Sequence, residues 1–146
     1  MRLLLTALLS LLSVPAWAQV DVSAAWSRPT VQGQMGTGAF MTLKARERMW
    51  LVGVGSPVAG VAEIHEMALE NNVMRMRAIE SLELPAGRAV ELKPGGHHLM
   101  LMDLQRPLKA GEKVRVELRL KTADNRLVTQ PIEVEVRARA PEPAKK

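Results

Sequence analysis

The sequence predicts an all-β fold, a single-domain Greek-key β-sandwich or barrel, from two observations. Apolar and polar side chains alternate in the late segments 114–121 and 132–137, with the period of a half-buried strand. Upstream, short apolar runs are separated by turn signals roughly every 8 to 12 residues, and no stretch of useful length has a helical period. Many short strands in this arrangement are typical of a sandwich or a Greek-key barrel.

The predicted strands share apolar runs that end at Gly, Pro or Asn. They are 20–26, 38–43, 49–54, 60–69, 73–79, 89–92, 97–104, 114–121 and 132–137.

Two asparagines at 71–72 predict a tight hairpin, because asparagine tolerates the positive φ of a type I′ turn. A turn centred on 71–72 would place Met67 opposite Met76, and one centred on 70–71 would place His65 there. Both registers keep His65 and Met76 on one face, about 4.5 to 8 Å apart at their β-carbons.

The two ends of the chain differ from its middle in composition and in apolar pattern. Arg2, an apolar run too short to span a bilayer and the Pro-Ala-Trp-Ala segment at 15–18 predict a signal peptide over 1–18. The mature domain is expected at 19–138, followed by a disordered tail rich in Pro, Ala and Lys at 139–146. No cysteine is present to carry a lipid, and no second apolar run approaches membrane length, so we expect a soluble periplasmic protein.

The composition narrows the class of partner. The 146 residues carry a formal charge of +5, but Lys and Arg are scattered, which indicates a solvated surface with some steering toward acidic partners. Aromatic residues make up only 3% of the chain, and no basic run is long, which argues against nucleic-acid binding.

Soft metal donors are concentrated in one stretch, 64–102. It contains all three histidines and five of the nine methionines. Imidazole nitrogen and thioether sulfur suit monovalent copper, and the chain has no cysteine to compete for it. Strand alternation puts three sets of donors on common faces: His65 with Met67, Met74 with Met76, and His98 with Met100 and Met102. The pattern favours one copper(I) site with two nitrogen and two sulfur donors.

The remaining donors receive lesser roles. Met67, Met74 and Met102 are interpreted as packing residues that shield the metal, because methionine fills irregular gaps well. His97 points away from His98 in a regular strand, which leaves it as an optional fifth donor.

The donor spacing resembles that of the PCu(A)C family of periplasmic copper chaperones. Ten residues separate His65 from Met76, twenty-one separate Met76 from His98, and one separates His98 from Met100. The flanking text at 51–57, 65–67, 73–77, 92–96 and 98–102 is also similar, and the resemblance covers about 22–136.

The resemblance implies a cupredoxin-like β-barrel that binds one copper(I) ion through His65, Met76, His98 and Met100. It also implies a carrier, not an enzyme. Its partners would be the copper-bearing subunit of cytochrome c oxidase, which receives the metal, and a thiol-bearing Sco-type protein.

Rival functions make different demands on the sequence. An electron-transfer cupredoxin needs a cysteine ligand, which is absent. A histidine-brace monooxygenase needs histidine at the mature terminus, where Gln19 or Val20 stands. Two alternatives remain open: a metal-free exported β-sandwich that serves adhesion or assembly, and a general periplasmic copper scavenger.

Overall fold

A computed structural model describes residues 19–142. The predicted signal peptide at 1–18 and the end of the predicted tail, 143–146, lie outside the described residues. Within them the chain forms ten strands joined by turns and loops. No membrane-spanning helix is found among residues 19–142.

The strands follow the predicted order, with most of them extended by a few residues at one or both ends. They are β1 (Val20–Ser27), β2 (Gly36–Ala45), β3 (Met49–Gly55), β4 (Ala59–Glu70), β5 (Val73–Ile79), β6 (Leu82–Leu84), β7 (Ala89–Leu92), β8 (His98–Leu104), β9 (Lys113–Thr122) and β10 (Leu127–Val136). The short β6 was not predicted, because three residues carry too little pattern to be recognised.

All ten strands belong to one sheet. Its order is β5-β4-β8-β2-β1-β10-β9-β3-β6, and β7 pairs with β2 beside this path. Each pair is antiparallel except β1 with β10, which is parallel. The prediction of an all-β fold is confirmed.

The core explains the alternation seen in the sequence. On β9, Val114, Val116, Leu118 and Leu120 are at most 2% exposed, and on β10 Val134 and Val136 are fully buried. The same rule acts on β8, where Leu99 and Leu101 are buried in the core. Side chains alternate across a strand, so His98 and Met100 must lie on the other face of the sheet. Burial of two leucines thereby fixes which way the donors of β8 point.

The β4–β5 hairpin sets the register of the remaining donors. Asn71 and Asn72 have φ of 49° and 62°, the positive values that both central residues of a type I′ turn require. Met67 consequently lies opposite Met76. Of the two registers compatible with the sequence, the structure has the one centred on 71–72.

We expect Asn72→Ala to lower the free energy of unfolding by about 1 kcal/mol, because alanine gains no local hydrogen bond to offset the left-handed conformation. Asn72→Gly is the matched control and should be neutral or stabilising, because glycine adopts positive φ without steric cost. Urea unfolding followed by circular dichroism measures both. Equal destabilisation by the two substitutions would contradict a type I′ turn at this position.

Candidate metal centre

The two strand histidines are direct cross-strand neighbours. His65 on β4 is paired with His98 on β8, and their ring centroids are 5.6 Å apart with the planes inclined by 60°. Although the two residues are far apart along the chain, antiparallel pairing places both imidazoles on one face of the sheet. The predicted convergence of His65 and His98 is present in the structure.

The methionines extend the same face on both sides of the histidines. Met76 on β5 lies opposite Met67, which is two residues from His65 on β4. Met100 lies two residues from His98 on β8 and opposite Gly38 of β2. The four predicted ligands therefore lie on three adjacent strands, with the two imidazoles in the middle.

Exposure increases from the nitrogen donors to the sulfur donors. His98 is 5% exposed and the side chain of His65 12% exposed, whereas Met76 is 55% exposed. Met100 is half-buried. An ion held by this set would be bound to the protein interior through imidazole and would meet the surface at Met76.

Within residues 19–142, His65 and His98 each have one ring nitrogen in a hydrogen bond and one without a partner. The Nδ1 atom of His98 lies 3.0 Å from the carbonyl oxygen of Gly96, an acceptor, so Nδ1 donates and Nε2 keeps its lone pair. The Nε2 atom of His65 lies 2.8 Å from a carboxylate oxygen of Glu63, and its Nδ1 is buried with no hydrogen-bond partner. A buried nitrogen without a partner is costly unless a ligand satisfies it. This pattern fits a metal centre, in which a ligating histidine commonly donates its other N–H to a carboxylate or a carbonyl.

A cavity of about 430 Å³ opens beside these donors. Met76, His98 and Met100 line it together with Met67, whereas His65 lies against the ring of His98 and not on the cavity wall. Met67 thus lines the same cavity as Met76, although the sequence predicted only that it packs around the metal and shields it.

Two glycines of β2 and Phe40 form another part of the cavity wall. Gly36 and Gly38 line the cavity, and a β-carbon on Gly38 would lie 2.7 Å from the ring of Phe40. Phe40 packs on Trp26 with ring centroids 4.9 Å apart and lies 6.2 Å from the ring of His98. Glycine is required here because a side chain would displace the aromatic ring that supports His98.

The other donors predicted to surround the metal are more dispersed. Met102 is opposite Gly36, one position beyond Met100 on the same face, and Met74 is 53% exposed toward the hairpin turn. His97 lies on the opposite face, with its Nε2 3.7 Å from a carboxylate oxygen of Glu66.

No three His, Cys, Asp or Glu side chains among residues 19–142 are grouped so as to hold a metal ion. The candidate donor set on this face differs from such a group because it includes two methionines.

Sequence reasoning missed three contributors to the site: Glu63, Gly38 and Phe40. Glu63 stands two residues before His65 on a strand, a spacing that puts both on one face, and this signal was available. For Gly38 and Phe40 no local signal existed, because their role depends on β2 lying beside β8.

Comparison with known proteins gives two similar sequences. A protein of Leifsonia xyli subsp. xyli described as "Putative lipoprotein Lxx21020" is 35% identical over 116 residues, which is 77% of this chain and 69% of that protein. An uncharacterized protein of Rickettsia prowazekii is 33% identical over 109 residues, which is 70% of this chain and 60% of that protein.

Solved structures share the fold. The copper-bound PCuAC domain from PmoF2 is 20% identical with a TM-score of 0.66, and the match covers 84% of this chain and 95% of that domain. The copper(I) form of DR1885 from Deinococcus radiodurans is 30% identical with a TM-score of 0.56, covering 84% of this chain and 83% of that one. These matches confirm the fold that the PCu(A)C resemblance predicted.

The family model described as "Putative lipoprotein LpqE-like" matches residues 20–132, nearly the whole of the described part of the chain. The chain therefore belongs to the LpqE-like family.

Proposed function

We propose that this protein is an exported carrier of one copper(I) ion, held by His65, Met76, His98 and Met100. The observation that carries the proposal is the direct pairing of His65 with His98, flanked on the same face by methionines of β5 and β8. The ion is cargo that the protein receives and passes on.

The donor chemistry favours copper(I) over other ions. Thioether and neutral imidazole are soft or borderline ligands, whereas calcium needs clusters of oxygen and structural zinc prefers cysteine with histidine. The set carries no negative charge, so it holds a monovalent ion less tightly than thiolates would. Weaker binding suits a carrier that must release its ion.

The solved relatives support the choice of metal. One of them is described as copper-bound and another as containing copper(I), and the second is 30% identical to this chain. Copper is accordingly the ion that we assign to the donor set.

Two residues hold the imidazoles ready for the ion. Glu63 accepts a hydrogen bond from Nε2 of His65, which leaves the lone pair on Nδ1, and the Gly96 carbonyl does the same for Nδ1 of His98, which leaves it on Nε2. We assign Nδ1 of His65 and Nε2 of His98 as the two nitrogen donors.

The family resemblance supports a proposal for location and delivery. We assign the protein to the periplasm and expect it to supply the copper-bearing subunit of a cytochrome c oxidase, in company with a thiol-bearing Sco-type protein. The role is that of a chaperone and not an enzyme, because the cargo leaves chemically unchanged.

Competition with a coloured copper(I) chelator under anaerobic reducing conditions tests the ligand set. We expect one equivalent bound by the wild type, and at least about tenfold weaker binding by Met76→Leu and by His98→Ala, because each removes a donor (about 1.4 kcal/mol or more). Met35→Leu is the matched control for Met76→Leu, because Met35 is 58% exposed and lies outside the donor set.

The same titration distinguishes the alternatives. Met67→Leu should weaken binding less than Met76→Leu, and a reversed order would make Met67 the ligand. A wild type that takes no copper from the chelator would favour the metal-free adhesion or assembly module and would refute the carrier.

Glu63→Leu should weaken copper(I) binding by about 10- to 100-fold, because a carboxylate that orients a ligating histidine contributes to affinity on this scale. Glu63→Gln should retain most of the affinity, since the amide oxygen can still accept the hydrogen bond. Glu66→Gln is the control on the opposite face of β4, where Glu66 pairs with Arg77 at 2.6 Å. Equal affinities for the Leu and Gln variants and the wild type would show that Glu63 does not orient His65.

A further inference from the structure

We propose that the outer edge of β5 is the docking site for the copper acceptor, which adds an extended acidic segment to the sheet as a further strand. The inference rests on the proposed carrier function and identifies how the cargo leaves.

The backbone of β5 is available for pairing. β5 is an edge strand of the sheet and pairs only with β4. All its residues except Ile79 are exposed. Residues that flank a two-residue hairpin loop form a hydrogen-bonded pair, so Val73 and every second residue after it face β4. Met74, Met76 and Ala78 consequently direct their N–H and C=O groups outward, where an incoming strand can bind them.

The two faces of β5 specify the chemistry of that strand. Met74 and Met76 lie on the same face of the sheet as His65 and are 53% and 55% exposed. Leu69, opposite Met74 on β4, is 65% exposed. Arg75 and Arg77 lie on the other face. Arg77 is bound by Glu66, whereas Arg75 forms no hydrogen bond or ion pair within residues 19–142. A complementary strand carries carboxylates on the arginine face and apolar or soft donor side chains on the methionine face.

The arginines also argue against a second copy of the chain as the occupant. Two β5 strands paired about a twofold axis would place arginine opposite arginine on one face, and like charges directly opposite each other are destabilising. Basic residues on an edge strand commonly serve to prevent such self-pairing. Charge complementarity therefore points to an acidic segment of a different protein.

Docking at this edge places the acceptor's donors beside the outermost ligand. A side chain on the methionine face of the added strand is a cross-strand neighbour of Met76, within reach of the ion that Met76 holds. Transfer begins with a ligand exchange: the bond from copper(I) to the Met76 sulfur breaks as a bond to the acceptor's donor forms. The bonds to Met100, His98 and His65 are then exchanged in turn for further donors of the acceptor. The copper stays monovalent, and exchange of one thioether for another moves no proton.

Short synthetic peptides test the inference on the full chain. One alternates glutamate with methionine, and the matched control alternates lysine with methionine. We expect the glutamate peptide, and not the lysine peptide, to slow amide hydrogen exchange at Met74, Met76 and Ala78. The amides of Arg75 and Arg77 are the internal control, because the hairpin already protects them. Arg75→Glu should bind the glutamate peptide about fivefold to tenfold more weakly, and Arg75→Lys should bind it nearly as well as the wild type.

The outcomes separate this inference from the proposed function. Peptide binding is measured on the copper-free chain, so a failure to bind copper leaves the docking result standing. Copper(I) affinity of Arg75→Glu, from chelator competition, should equal that of the wild type. Equal binding of both peptides, protection elsewhere on the sheet, or protection of the outward amides by self-association without peptide would each overturn the inference.

Discussion

The pairing of His65 with His98 is the contact on which the candidate centre depends. It arises because β4 lies between β5 and β8, so that one strand aligns donors from both neighbours. A shift of either register by one residue would send a histidine to the opposite face of the sheet. The buried leucines of β8 prevent that shift, because it would expose them to water. Burial of these leucines therefore stabilises the core and also fixes the register that places the two histidines side by side.

The candidate centre combines a buried half with an exposed half. The imidazoles are largely buried, and hydrogen bonds to Glu63 and to the Gly96 carbonyl orient them. Met76 is on an edge strand and mostly open to solvent. For the proposed carrier this division has a physical purpose: the buried imidazoles would retain the ion and the exposed thioether of Met76 could be replaced by a donor of the acceptor. A centre buried on all sides would hold the ion but could not present it to a partner.

Much of the fold could be predicted because alternation is a local signal. The alternating valines and leucines of β9 predict that strand, and the asparagines at 71–72 predict the hairpin. Alternation also assigned each donor to a face. It could not show that His65 lies opposite His98, because strand order depends on contacts between distant segments. Spacing places Glu63 on the face of His65 but does not give the rotamer that forms the hydrogen bond, and the position of Met67 on the cavity wall depends on β2.

In the proposed centre, two imidazoles and two thioethers converge on one ion. X-ray absorption at the copper edge of the copper(I)-loaded chain measures the ligand atoms directly. We expect two nitrogen and two sulfur neighbours in the wild type, with one sulfur lost in Met76→Leu and one in Met100→Leu. A shell of nitrogen and oxygen alone, or a sulfur shell unchanged by both substitutions, would contradict it.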